Sequence, residues 1–221
     1  MPRTSARERF RTPTSQREQR HVRREGPYVG GVPARSPAAD RPRGAAGELF
    51  AKEGIRSVGI DRILAEAGTA KATLYHAYGS KEALVVAYLE QRDVNDRRAY
   101  RKQAAVTEAG TAQVYVAFDL AEKAAMTGNY VGCVYANALN EFPDPSHPVA
   151  LAVRRHRDWI REQWIEALGA LPDAAGLAEE IHMIYDGALF GAKAAQSPQP
   201  IRRARELVET VILRAAQTAG A

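Results

Sequence analysis

From residue 54 the chain reads Gly54-Ile55-Arg56-Ser57-Val58-Gly59-Ile60-Asp61-Arg62-Ile63-Leu64-Ala65-Glu66-Ala67-Gly68-Thr69-Ala70-Lys71-Ala72-Thr73-Leu74-Tyr75-His76-Ala77-Tyr78-Gly79-Ser80-Lys81-Glu82, helical spacing broken by glycine at short intervals. Ile60, Ile63, Leu64 and Ala67 fall on one face of a short helix, and Gly68 supplies the left-handed backbone that ends it. A sharp turn follows. The next helix is very short: Leu74 and Tyr78, four apart, face inward, while Lys71, Thr73, Tyr75 and His76 fall largely on other faces. The pattern predicts two short helices at a tight turn, the second with a polar, exposed face.

Such a face suits the major groove of DNA. Lys71, Thr73, Tyr75 and His76 donate hydrogen bonds to phosphates or base edges, with the N-terminal residues of the helix set deepest. Ala70 and Ala72 are small enough for close backbone approach, and a methyl group touches thymine. Lys81 follows the expected N-cap Ser80 and adds its charge to a helix N-terminus, which favours a phosphate oxygen.

Three runs carry a family resemblance: Leu49-Phe50-Ala51-Lys52-Glu53-Gly54, Ile63-Leu64-Ala65-Glu66-Ala67-Gly68, and Lys71 through Leu84. Together they resemble the N-terminal domain of TetR-family (tetracycline-repressor-like) transcriptional regulators. The rest is similar to that family in helix number, length and order, and Gly132-Cys133 through Asn137, with Glu141 and Phe142, resembles one of its subgroups. The resemblance implies a homodimeric, all-helical repressor whose helix-turn-helix domains read a palindromic operator and whose C-terminal domain binds a small effector that releases DNA. It also implies DNA contacts at Lys71, Thr73, Tyr75, His76 and Lys81, and coupling through the long fourth helix that begins at Ser80. Gly59 stands where members often place a capping Ser or Thr that touches phosphate, and Ala77 where His or Tyr is frequent. Pro42 and Arg43, followed by Gly44 and Gly47, replace an aliphatic pair, so the first helix is expected to be short or frayed.

Outward from this motif the chain divides into three parts. Residues 1–43 hold eleven arginines against four carboxylates, a charge of +7, so the remainder carries about −2 of the net +5. With six prolines and few large apolar residues, this part is expected to be a disordered basic tail. It is either an arm that follows the DNA backbone or an upstream extension outside the native product, and the missing aliphatic pair favours the second. Residues 44–84 form the expected helix-turn-helix DNA-binding domain. Residues 85–221 form an expected helical effector-binding and dimerisation domain, giving an all-α chain of about nine helices. No apolar run is long enough for a membrane span, a single cysteine forms no intrachain disulfide, and no apolar signal region follows the N-terminal arginines. The expected compartment is the cytoplasm.

Two late helices carry the clearest apolar stripes. Leu177, Ile181, Ile184 and Ala188 of the eighth, with Ala204, Leu207, Val208, Val211 and Ile212 of the ninth, are expected to pair with their copies in a second subunit. Phe118, Met126, Cys133, Asn137, His156, Trp159, Tyr185 and Phe190 are candidate linings of an effector cavity, with His156 as a polar handle beside Trp159. Glu179, His182 and Asp186 share a helix face, but with no second His-carboxylate pair nearby they read as solvated, and no metal or other cofactor is expected. No phosphate-cradling glycine loop or nucleophile elbow occurs, so the chain is not expected to be an enzyme. The competing reading is a helical enzyme or protein-interaction module that has lost specific DNA binding.

Overall fold

The computed structural model describes residues 37–219. These form α1 (Pro37–Glu53), α2 (Ile60–Ala67), α3 (Lys71–Tyr78), α4 (Lys81–Ala104), a 3-10 turn (Thr111–Tyr115), α5 (Val116–Ala125), α6 (Val134–Glu141), α7 (Pro148–Ala167), α8 (Ala174–Ala195) and α9 (Gln199–Ala219). No strand occurs among the described residues, and the fold is all-helical with an N-terminal helix-turn-helix. Local chemistry sets the boundaries. Gly68 adopts φ 58° and ψ 40° and ends α2, its N–H donating to the Leu64 carbonyl. Ser80 caps α4 by accepting the Ala83 N–H at 3.0 Å, and Asp173 caps α8 by accepting the Gly176 N–H at 3.1 Å.

The first helix differs from expectation. It runs for 17 residues and starts at Pro37, so residues 37–43 are helical, not tail. Proline is tolerated at a first helical position. Pro42 removes one rung of the ladder but is buried, and Asp40 and Arg43 pair across it at 3.0 Å. Gly47 is a contact position: a Cβ there would lie 2.8 Å from the Tyr88 ring, so glycine lets α1 and α4 approach. The expected disorder of residues 1–36 lies outside the described residues.

Two apolar clusters form the interior. One joins Leu49, Phe50, Ile63, Leu74, Tyr78, Leu84 and Val85 to Tyr135 and Ala138 of α6 and to Val149 and Val153 of α7. The packing of the helix-turn-helix therefore continues past residue 84 into the body. The other is built from α5, the second half of α7, α8 and α9 around Phe118, Trp164, Leu168, Ile181 and Val208. Trp164 satisfies its buried indole N–H on the Val114 carbonyl at 3.2 Å.

This second cluster takes up part of the apolar stripes. Leu177, Ile181, Ala188, Ala204, Val208 and Ile212 are buried in their own protomer, and Ile181 and Val208 are 0% exposed, leaving no surface for a partner to cover. Ile184 and Val211 are half-buried. Leu207 faces outward, with Met183 and Phe190. The strongest periodicity marks the face that buries most area within the chain.

Candidate nucleic-acid interface and internal cavity

The turn between α2 and α3 sets α3 on the surface. Leu74 and Tyr78 are buried and anchor it, whereas Ala70, Lys71, Ala72 and His76 are exposed, Thr73 is half-buried and Tyr75 is 42% exposed. Lys71 lies 3.7 Å from Asp61, both largely solvated, an ion pair that contributes little and leaves the ammonium available. Gly59 is the N-cap of α2 in extended backbone without a side-chain bond, and the space around its missing Cβ is open. Lys81 behaves differently from expectation. It is half-buried and its Nζ donates to the Arg56 carbonyl at 3.4 Å; burial pulls its pKa down, opposed by Glu141.

A cavity of about 280 Å³ opens among α4, α5, α6, α7 and α8. Its lining includes the aromatic groups Tyr100, Tyr130, Tyr135, Trp159 and Tyr185, the small residues Ala99, Ala117, Ala121 and Ala124, and the polar groups Arg92, Asp96, Cys133 and His156. Of the eight sequence candidates, Cys133, His156, Trp159 and Tyr185 meet here. The other four do not. Phe118 lies in the core behind Tyr185, ring to ring at 5.0 Å, and Met126 is exposed beyond the end of α5. Asn137 and Phe190 line a neighbouring groove, where Asn137 donates to the Val131 carbonyl and accepts from Lys193.

A polar chain runs beside the cavity. Arg97 donates to Asp93 at 2.7 Å, and Asp93 meets His156 Nδ1 at 2.8 Å. Burial alone would raise the Asp93 pKa, but hydrogen bonds from His156 and Arg97 outweigh it and hold the carboxyl below its ordinary value. The His156 ring stacks on Tyr135 at 3.7 Å, and the Tyr135 hydroxyl donates to Asp96 at 2.8 Å. Asp96 also accepts from Arg92 Nε at 3.1 Å. Burial pushes the Tyr100 and Tyr130 hydroxyls up to about 12 and raises the Cys133 thiol, so all three stay protonated at neutral pH.

Helix α6 joins cavity and interface. Its first residues, with Cys133, line the cavity. At its other end Glu141 accepts the backbone N–H groups of Ile55 and Arg56 at 2.8 and 2.6 Å, holding the loop between α1 and α2. Arg56 lies over the Phe142 ring at 5.3 Å.

Residues 44–88 match the family described as "Bacterial regulatory proteins, tetR family". The solved structure of SCO4454, a TetR-family transcriptional regulator from Streptomyces coelicolor, is 33% identical over 80% of this chain and 95% of its own, with a TM-score of 0.76. The chain belongs to the TetR family. Its fold is that of a DNA-binding transcriptional regulator. More distant TetR-like folds include NemR of E. coli in its reduced form (19% identity, 78% of this chain, 96% of that one, TM-score 0.69) and TetR from Rhodobacter sphaeroides (22%, 78%, 97%, 0.69). No curated protein matches. No helix among the described residues is long and apolar enough to cross a membrane.

Within this TetR fold, several site residues escape sequence reasoning: Arg92, Asp96, Tyr100, Tyr130, Tyr135 and Glu141. The available signals were the i,i+4 spacing of Arg92 and Asp96 and the run around Cys133 that resembles a subgroup. The reading of Glu179, His182 and Asp186 as solvated needs correction at its centre. His182 is buried edge-on against Trp164 at 5.3 Å, Asp186 is forked by Arg157 at 2.9 and 2.7 Å, and Glu179 pairs with Arg161. Among the described residues no group of three or more metal-ligating side chains gathers.

Proposed function

We propose that this regulator is a homodimeric repressor that reads a palindromic operator with α3 and leaves it when a small molecule occupies the cavity. The observation that carries the operator reading is the division of α3: Leu74 and Tyr78 hold it to the core while Lys71, Thr73, Tyr75 and His76 remain available to base edges and phosphates. The release reading rests on shared parts. Cavity, α6 and helix-turn-helix are joined through Tyr135 and Glu141, and α4 carries both Leu84 in the DNA-domain core and Arg92 at the cavity. An occupant that shifts α6 or α4 repacks the recognition unit. It thereby favours a dimer whose two α3 helices no longer match major grooves roughly 34–36 Å apart or a multiple of that spacing. Function by binding, without catalysis, follows from this reading.

The test is fluorescence anisotropy against DNA from immediately upstream of the protein's own gene, with scrambled DNA of equal length, over a salt series. Specific binding well above the non-specific level at near-physiological salt is the expected result. Tyr75→Ala should weaken operator binding by about tenfold, the scale of one lost base contact, while light scattering shows the same oligomer. Equal, salt-sensitive binding to both DNAs would instead favour a module without operator specificity.

A further inference from the structure

Building on the effector-gated reading, we infer that the cavity takes a small planar aromatic molecule, one or two fused rings in size, that points an acceptor oxygen at Tyr130 and Arg92. Size comes first. A volume of about 280 Å³ has room for a bicyclic ring system.

Shape follows from the walls. Part of the lining is methyl-sized: Ala117, Ala121 and Ala124 from α5 and Ala99 from α4. The lining also carries rings: Tyr100, set edge-on to Trp159 at 5.3 Å, and Tyr185. A lining that combines alanines with several aromatic rings accepts a flat molecule and offers it ring contacts that a saturated skeleton of equal size cannot make.

Polarity comes from counting hydroxyls at the cavity. Tyr100 donates to the Gln113 carbonyl at 3.2 Å, Tyr135 to Asp96 at 2.8 Å and Tyr185 to the Ala117 carbonyl at 3.5 Å. The Tyr130 hydroxyl has no such partner among the described residues. Arg92 holds Asp96 through Nε, its two terminal nitrogens have no partner among the described residues, and its side chain is 48% exposed at the cavity. Asp96 has both oxygens engaged by Arg92 and Tyr135. Tyr130 and Arg92 therefore offer open donors at the cavity, beside His156, whose Nδ1 meets Asp93 and whose Nε2 has no partner among the described residues, and the complementary ligand is apolar and flat with an oxygen that accepts from Tyr130 and Arg92.

Calorimetric titration of the full chain with three probes tests this: 2-naphthol, naphthalene, and trans-decahydro-2-naphthol, which keeps the oxygen but loses planarity. 2-Naphthol should bind about tenfold tighter than each of the other two, the scale of one good hydrogen bond or one lost ring contact. Tyr130→Phe removes the donor and keeps the ring, and Arg92→Gln keeps a polar partner for Asp96; each should cut the preference over naphthalene to about threefold or less. Ala121→Met fills the cavity and should abolish binding. Circular dichroism and melting curves confirm that each variant is folded, and Tyr130→Phe carries the test if Ala121→Met fails to fold. Equal binding of naphthalene or of the saturated alcohol overturns the assignment, as does failure of all three to bind. Operator release is read separately by anisotropy, so selective binding without release keeps the ligand class and removes only the gating.

Discussion

His182 lies on a helix face that spacing assigns to water, and its burial makes it a source of pH dependence. Removal from solvent, followed by the nearby charge of Arg157, pulls its pKa from the usual 6.5 to about 4; Asp186 opposes this, while His156 and Arg161 act with Arg157. Above pH 6.5 the side chain is neutral in folded and unfolded chains alike and contributes no slope. Between 6.5 and 4 the unfolded chain takes up a proton that the folded chain refuses, so stability falls as pH falls through this window and levels below it. The loss is on the order of 3 kcal/mol at most. His182→Gln should remove it: urea denaturation at pH 7, 5.5 and 4.5 should show the variant gaining on the parent as pH drops. Parallel pH profiles would show that His182 is not the titrating group. The spacing of Glu179, His182 and Asp186 correctly gave a shared face, but exposure depends on Trp164 of another helix, which spacing along α8 cannot report.

Among elements, α2 and α3 were legible because their signals are local. Gly68 ends one helix, Leu74 and Tyr78 anchor the next, and Ser80 caps α4, all within the run that forms them. Helix α6 was not legible in this way, because its partners are distant in sequence. Glu141 meets the amides of Ile55 and Arg56 across 86 and 85 residues. The extent of α1 was hidden for a related reason: Gly47 and Pro42 read as breakers until Tyr88 is seen against the first and burial of the second. The α6 contact makes a definite prediction. Glu141→Ala strips a charged acceptor from two N–H groups, which should cost about 1–3 kcal/mol of stability. Amide exchange at Ile55 and Arg56 should accelerate, while Thr69 and Gly79, bonded within the turns to Leu64 and Tyr75, keep their protection. Unchanged protection at Ile55 would mean that α6 does not hold the DNA domain.

For the whole molecule, the central issue is which surface a second copy would cover. The residues that sequence periodicity picked out divide between two sides: Leu177, Ile181, Val208 and Ile212 lie in the protomer's own core, whereas Ile184, Ala188, Ala204 and Leu207 line a groove on α8 and α9, because one amphipathic stripe serves either a protomer's own core or another subunit and carries no mark of which. The side of α8 and α9 away from the core is apolar in a narrower way: Met183 is 67% and Leu207 51% exposed, and they flank a groove with Ile184, Gly187, Pro200 and Thr210. Gly187 and Ala188 are small enough to let a helix approach that groove closely, and Arg203 and Glu206 pair beside it at 2.7 Å. Pairing α8 and α9 with their copies about a two-fold axis would bury Met183 and Leu207 centrally and leave the charged pair in water, the arrangement expected of an isologous four-helix contact. Leu207→Asp and Met183→Asp should therefore shift light-scattering mass from twice the chain's 24.2 kDa toward the single chain, with helicity retained. Ile181→Ala, by contrast, should cost about 2–5 kcal/mol of stability by opening a core cavity while leaving the mass of the folded assembly unchanged. An operator with two half-sites needs both recognition helices, so the monomeric variants should also lose specific DNA binding with α3 intact. A dimeric Leu207→Asp protein would place the contact elsewhere, and the spacing of the two α3 helices would then have to be set by another surface.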